Sequence, residues 1–151
     1  MKISFKGKST EFGTKKKVLF VCVENAGRSQ MAEGFFRKYC LGDYVLISAG
    51  TRHKSKINPV AVEVMEEIGI DISGQKPKEL TEDMMRNAAK IISMGCMDKD
   101  FCPTLFVPRV EDWGIEDPKD KPIEAVREIR DEIERRIKEV VEQIGKEGKR
   151  N

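Results

Sequence analysis

Val18-Leu19-Phe20-Val21-Cys22-Val23-Glu24-Asn25-Ala26-Gly27-Arg28-Ser29-Gln30-Met31-Ala32-Glu33 is the stretch that decides the fold. Val18 to Val21 is a continuous apolar run behind Lys15, Lys16 and Lys17, the pattern of a buried strand. Further on, apolar residues fall at Met31, Ala32, Phe35, Phe36 and Tyr39, the spacing of one helix face. Between strand and helix a cysteine and an arginine bracket five residues, and a serine follows.

A loop entering a helix N-terminus turns successive backbone N–H groups toward one point and so makes an anion cradle. Here the cradle comprises Val23, Glu24, Asn25, Ala26, Gly27, Arg28 and Ser29. Gly27 lets the loop close tightly. Arg28 offers a planar fork that matches two oxygens of a tetrahedral oxyanion. Cys22 starts the loop, where the positive field favours a thiolate, and the Ser29 hydroxyl is placed to donate to it. A cysteine and an arginine at one spacing recur by chance. Strand before, helix after, and Asn25, Gly27 and Ser29 between make the pair a nucleophile beneath a bound anion.

The remaining sequence bounds the setting. The 151 residues suit one domain with a single core: an N-terminal extension over 1–14, a domain over 15–145 and a polar tail over 146–151. A net charge of +2 argues for neither nucleic acid nor a membrane surface as partner. No apolar run is long enough to span a bilayer, and Met1 to Gly13 lacks an apolar signal core. The expectation is a cytoplasmic monomer, in which cysteines serve chemistry more often than structural bridges.

Tyr44 to Ser48 reads as a second strand ending at Ala49-Gly50, so a βαβ unit and a parallel pair follow. Asn58-Pro59 is an N-cap and first-turn proline, and Gly69 stops that helix. Thr81 caps a short helix. Ile91 to Met94 is a third strand and Phe106 to Val110 a fourth. Ile123, Val126, Ile129, Ile133, Ile137, Val140 and Ile144 mark the last helix. Its wet side offers Asp131–Arg135 and Glu134–Lys138 pairs. Alternating strands and helices predict an α/β three-layer sandwich with a four-stranded parallel sheet. The site then lies beyond the carboxyl ends of the strands, where Cys22, Cys96 and Asp117 can meet.

Cys22 to Glu33 resembles the active-site loop of the low-molecular-weight tyrosine phosphatase superfamily. Arg-Ser-Gln-Met-Ala-Glu-Gly resembles its arsenate reductase branch, whereas the phosphatases usually carry Arg-Ser-Pro. The resemblance runs from Lys17 to about Gly145. It implies a low-molecular-weight phosphatase-like fold, Cys22 as nucleophile, Arg28 on the oxyanion and Asp117 of Asp117-Pro118 as general acid. Lys119 and Asp120 stand where tyrosine phosphatases usually place tyrosines.

The resemblance extends to Cys96 and to Cys102 before Pro103, which match resolving cysteines. Arsenate becomes arsenite only if a second thiol supplies electrons as a disulfide, and a third passes that disulfide on by exchange. Five residues separate Cys96 from Cys102, one fewer than in thioredoxin-coupled members. The order of the relay, and a thioredoxin-like protein or a small thiol as reductant, both stay open. No bound cofactor and no metal are expected: Cys40, Cys96, Cys102 and His53 have no zinc-site spacing. Some arsenate reductases hold potassium beside the loop through an asparagine, a glutamate, a serine and an aspartate. Asn25, Glu33 and Ser48 match, and Lys78 stands at the aspartate position, where its ammonium pairs with Glu33 and replaces the ion. The expected function is arsenate reduction. The alternatives are a phosphatase acting on phosphotyrosine or small phosphoesters, and a non-enzymatic oxyanion or redox sensor.

Overall fold

The computed structural model describes residues 16–40, 42, 44–52, 54–95 and 110–150, with side chains to Lys146. The extension, His53, Cys96 and Cys102 lie outside the described residues. The elements are β1 (Lys16–Cys22), α1 (Arg28–Tyr39), β2 (Tyr44–Gly50), α2 (Pro59–Glu66), α3 (Glu82–Asn87), β3 (Lys90–Ser93), β4 (Val110–Asp112) and α4 (Ile123–Arg150).

The four strands form one sheet in the order β2-β1-β3-β4, and every pair is parallel. β1 therefore has a strand on each side and a layer on each face, which is why Val18 to Val21 is apolar without alternation. Val18, Phe20 and Cys22 face a cluster with Phe35 of α1, Met65 of α2 and Ile133 of α4. Leu19 and Val21 face a smaller cluster with Leu80, Met85 and Ile91 under α3. The result is the expected three-layer α/β arrangement. Phe20 is fully buried, with Phe36 edge-on at 6.2 Å and Trp113 at 5.6 Å between ring centroids. Truncating such a ring costs about 3–5 kcal/mol.

Local signals hold where capping chemistry is explicit. Asn58 Oδ1 accepts from the Val60 N–H at 2.9 Å, and Pro59 opens α2. Thr81 Oγ1 accepts from the Met84 N–H at 3.1 Å. Each cap contributes about 1 kcal/mol. Gly69 follows α2 at φ +83°, a conformation that costs it no Cβ clash.

Three expectations are corrected. Strand β4 comprises Val110 to Asp112, later than the Phe106–Val110 strand expected, of which residues 106–109 lie outside the described residues. Only three residues pair with β3, too few to stand out in a sequence pattern. Helix α4 continues through Arg150, so the segment read as a tail from residue 146 is helical almost to its end. Glu134 does pair with Lys138 at 3.8 Å, but Arg135 is not Asp131's partner. Arg135 is held by Glu132 at 2.6 Å and Glu139 at 3.0 Å, while Asp131 takes Arg130 at 2.9 Å.

Candidate active site

Cys22 is the last residue of β1, in register with Gly50 of β2. The chain then turns through Val23 to Gly27 into α1, whose N-cap Gly27 supplies no side-chain cap. The loop's carbonyls are all engaged. Those of Cys22, Val23, Glu24 and Ala26 accept the N–H groups of Thr51 (3.1 Å), Arg52 (2.7 Å), Lys54 (3.0 Å) and Asn58 (2.8 Å). The Asn25 carbonyl takes Gln30 Nε2 at 2.9 Å, and the Gly27 carbonyl takes the Met31 N–H at 2.9 Å. In a planar trans peptide the N–H points opposite to the C=O. Carbonyls fastened outside therefore turn the N–H groups of Val23 through Arg28 toward the opposite side, the geometry of an anion nest.

Asn25 is the keystone of the loop. It sits at φ +54°, a left-handed conformation that asparagine tolerates, and is fully buried. Its Oδ1 accepts the Lys78 N–H at 2.7 Å and Gln30 Nε2 at 3.1 Å. Its Nδ2 donates to Ser29 Oγ at 2.6 Å. Ser29 Oγ lies 2.9 Å from Cys22 Sγ, and the Asn25 N–H donates to the same sulfur at 3.1 Å. Because Ser29 already accepts from Asn25, its own hydrogen is free to point at the sulfur. With that hydrogen so turned, two donors aim at Cys22 Sγ.

Arg28 opens α1 and is only 4% exposed. Its Nη1 donates to the Ile115 carbonyl at 2.8 Å and lies 3.5 Å from the Met94 carbonyl. Its Nη2 is 3.8 Å from Asp117 Oδ2. Asp117 itself is about half exposed, and its Oδ1 accepts the Lys119 N–H at 3.0 Å. Cys22, Glu24, Ala26, Gly27, Arg28, Asn58, Asp117, Pro118 and Lys119 line one small hollow. The expected nucleophile, guanidinium and acid therefore converge on one space. Cys96 and Cys102 lie outside the described residues.

The chain matches the model of the Low molecular weight phosphotyrosine protein phosphatase family over residues 17–150. It belongs to that family. It is 38% identical over 122 residues to the arsenate reductase of Staphylococcus aureus (strain Newman), covering 80% of this chain and 92% of the relative. It is 35% identical over 130 residues to the glutaredoxin arsenate reductase of Synechocystis sp. (strain ATCC 27184 / PCC 6803 / Kazusa), covering 85% and 98%. A solved arsenate reductase in the phosphate binding state superposes with a TM-score of 0.75 at 34% identity, over 85% of this chain and 98% of that one.

Some functional residues escape a sequence reading. A Cβ on Gly50 would lie 2.6 Å from the Val23 carbonyl oxygen and 2.8 Å from the Asn25 nitrogen, so glycine is what lets β2 pass under the loop. Gln75 Nε2 donates to Gln30 Oε1 at 2.7 Å, which fixes the amide that holds Asn25. The Ile115 carbonyl aims Arg28. None carries a local signal, since each depends on a partner distant in sequence. The expected pair of Lys78 with Glu33 is formed at 3.7 Å, and Ser48 Oγ donates to the same Glu33 Oε1 at 2.6 Å.

Proposed function

We propose that this chain reduces arsenate to arsenite in the cytoplasm, as a monomer, with electrons from an external thiol. The observation that carries the reading is the pair of hydrogen-bond contacts on Cys22 Sγ, from Ser29 Oγ at 2.9 Å and the Asn25 N–H at 3.1 Å, on the floor of a hollow bounded by Arg28 and Asp117. Arsenate binds the loop N–H groups and the Nη2 side of Arg28, which faces the hollow beside Asp117. The Cys22 thiolate attacks arsenic and an arsenic–sulfur bond forms. One arsenic–oxygen bond breaks, and Asp117 gives its proton to the departing oxygen. A second thiolate, assigned to Cys96, then attacks the Cys22 sulfur. A disulfide forms, and the electron pair of the sulfur–arsenic bond stays on arsenic, which leaves as arsenite. Cys102 takes over the disulfide by exchange, and the external thiol reduces it. The relatives named as arsenate reductases, one of them a glutaredoxin arsenate reductase, support this class of reductant.

A phosphatase would use the same Cys22, Arg28 and Asp117. The described residues lining the hollow and the groove beside it include Lys54, Lys56, Lys119 and Lys121 but no aromatic ring to stack on phosphotyrosine, which favours the small oxyanion. The test is the mass of arsenate-treated protein, alkylated without prior reduction. A disulfide that includes Cys22, or its successor between Cys96 and Cys102, is expected. Alanine at Cys96 or Cys102 should abolish arsenate turnover and spare hydrolysis of an aryl phosphate. Normal arsenate reduction by both variants refutes the relay.

A further inference from the structure

Glu24 sits in the middle of the anion loop, an unexpected place for a carboxylate in a cradle built for anions. Its backbone is held by the Lys54 N–H at 3.0 Å. Its Oε2 lies 3.4 Å from Lys119 Nζ and 3.8 Å from Lys54 Nζ. Lys119 is two residues past Asp117, and the Lys119 N–H is the donor that fixes Asp117 Oδ1 at 3.0 Å. Between them Pro118 packs against the loop so closely that a Cβ on Gly27 would meet Pro118 Cγ at 3.0 Å. The acid-bearing segment thus touches the loop at three points: Arg28 with Asp117, Gly27 with Pro118, and Glu24 with Lys119.

We propose that Glu24 is a positioning residue: through Lys119 it latches the Asp117 segment over the anion loop, at the cost of placing a negative charge beside the bound oxyanion. This rests on the reading of Asp117 as the general acid. Asp117 lies outside any helix or strand and is half exposed, so contacts across the hollow set where its carboxyl stands. The ion pair also explains the two lysines at the rim. They neutralise Glu24, and an oxyanion does not meet an uncompensated carboxylate. Lys54 holds the carboxylate from the side of the β2 exit, and Lys119 carries the acid. The arrangement makes opposite demands on binding and turnover, and that opposition is measurable.

The experiment compares wild type, Glu24→Gln, Lys119→Gln, the double variant and Asp117→Asn. It uses single-turnover arsenate reduction and inhibition by inorganic phosphate, with thermal unfolding as a check on folding. Glu24→Gln is expected to lower the turnover rate by about threefold, the scale of one exposed ion pair. It should at the same time tighten phosphate binding by a similar factor, because a like charge has left the cradle. Lys119→Gln should slow turnover by the same factor without tightening phosphate. The double variant should turn over no more slowly than either single one. The latch is refuted if Glu24→Gln leaves the rate unchanged, or if the two losses multiply. A fully active Asp117→Asn enzyme would instead remove the acid on which the latch acts, a separate result that also overturns it. A wild type inert toward arsenate would refute the reductase reading instead. The latch is then scored on aryl phosphate hydrolysis by the same variants, with the same outcomes for and against.

Discussion

Ser29 Oγ stands between Asn25 Nδ2 at 2.6 Å and Cys22 Sγ at 2.9 Å, so the hydroxyl accepts from one and is left to donate to the other. Removing it strips the sulfur of one of its two donors. A hydrogen bond to a charged partner contributes about 1.5–3 kcal/mol. Ser29→Ala should therefore slow the alkylation of Cys22 by iodoacetamide at neutral pH, and arsenate turnover, by roughly tenfold to a hundredfold. Cys40, the other described free thiol, should react at an unchanged rate and serves as the internal control. Unchanged alkylation of Cys22 would show that Ser29 does not support the thiolate.

Gly50 pairs with Cys22 across the sheet and underlies the loop. Its missing side chain is an unambiguous requirement, because the nearest atoms a Cβ would meet are backbone: Val23 O at 2.6 Å, Asn25 N at 2.8 Å and the Glu24 carbonyl carbon at 2.9 Å. Gly50→Ala should destabilise the protein by about 2 kcal/mol and weaken phosphate binding more than tenfold. Denaturant unfolding and phosphate titration read the two effects. A variant that binds phosphate normally would show that the loop tolerates the displacement.

Lys78 reaches Glu33 at 3.7 Å, the carboxylate that Ser48 also contacts at 2.6 Å. An ammonium tethered there puts a fixed positive charge beside the Glu33 carboxylate. Arsenate turnover should be equal in potassium and sodium salts at matched ionic strength. Lys78→Asp should make activity respond to potassium by several-fold. Stimulation of the unmodified protein by potassium contradicts the assignment.

Glu67 joins the end of α2 to α4. Arg127 binds it through Nε and Nη2, the latter at 2.7 Å, and Arg130 adds a contact at 2.9 Å. The hydrogen bonds from Arg127 foremost, with the one from Arg130, hold the Glu67 carboxyl below its ordinary titration range. A carboxyl lowered in the folded state stabilises above its unfolded-state value, and the contribution fades as pH falls through the folded one. Thermal unfolding should therefore show Glu67→Gln less stable than wild type at neutral pH, with the difference closing in acid below pH ~4. A gap that persists at low pH would trace the loss to packing rather than charge.

Tyr39 titrates late for a related reason. Its hydroxyl donates to Glu134 at 2.5 Å, and that hydrogen bond, then burial, pushes its pKa up to about 12. Stability from this pair is whole below the ordinary phenol value and is lost as pH rises toward 12. Phenolate absorbance should follow Tyr39, and Glu134→Gln should bring it back toward 10.

In the loop unit and at the helix caps, where the requirement was local, the chain displayed it. The β1–loop–α1 unit needs an apolar strand, a tight turn and an amphipathic helix in succession, and Val18 to Tyr39 shows all three. Asn58, Thr81 and Gly69 announce helix ends because caps act within three residues. The role of Gly50 was hidden, because it follows from parallel register with Cys22 and not from its neighbours. Arg28 was legible as a guanidinium placed at the loop's hollow, but its anchor on the Ile115 carbonyl was not, since any residue can offer a carbonyl. Arg135 exchanged its expected partner because several acids lie within one turn of it on α4, and spacing alone does not rank them.

Cys22 ends an interior strand and shows only 2% of its surface. A macromolecular electron donor offers a broad face, and a sulfur so deeply set has no face to return. Whatever regenerates it must be narrow: a metabolite-sized mercaptan that enters the hollow, or a side chain of this same polypeptide. On the proposed chemistry, that depth sets a size limit on whatever reaches the sulfur.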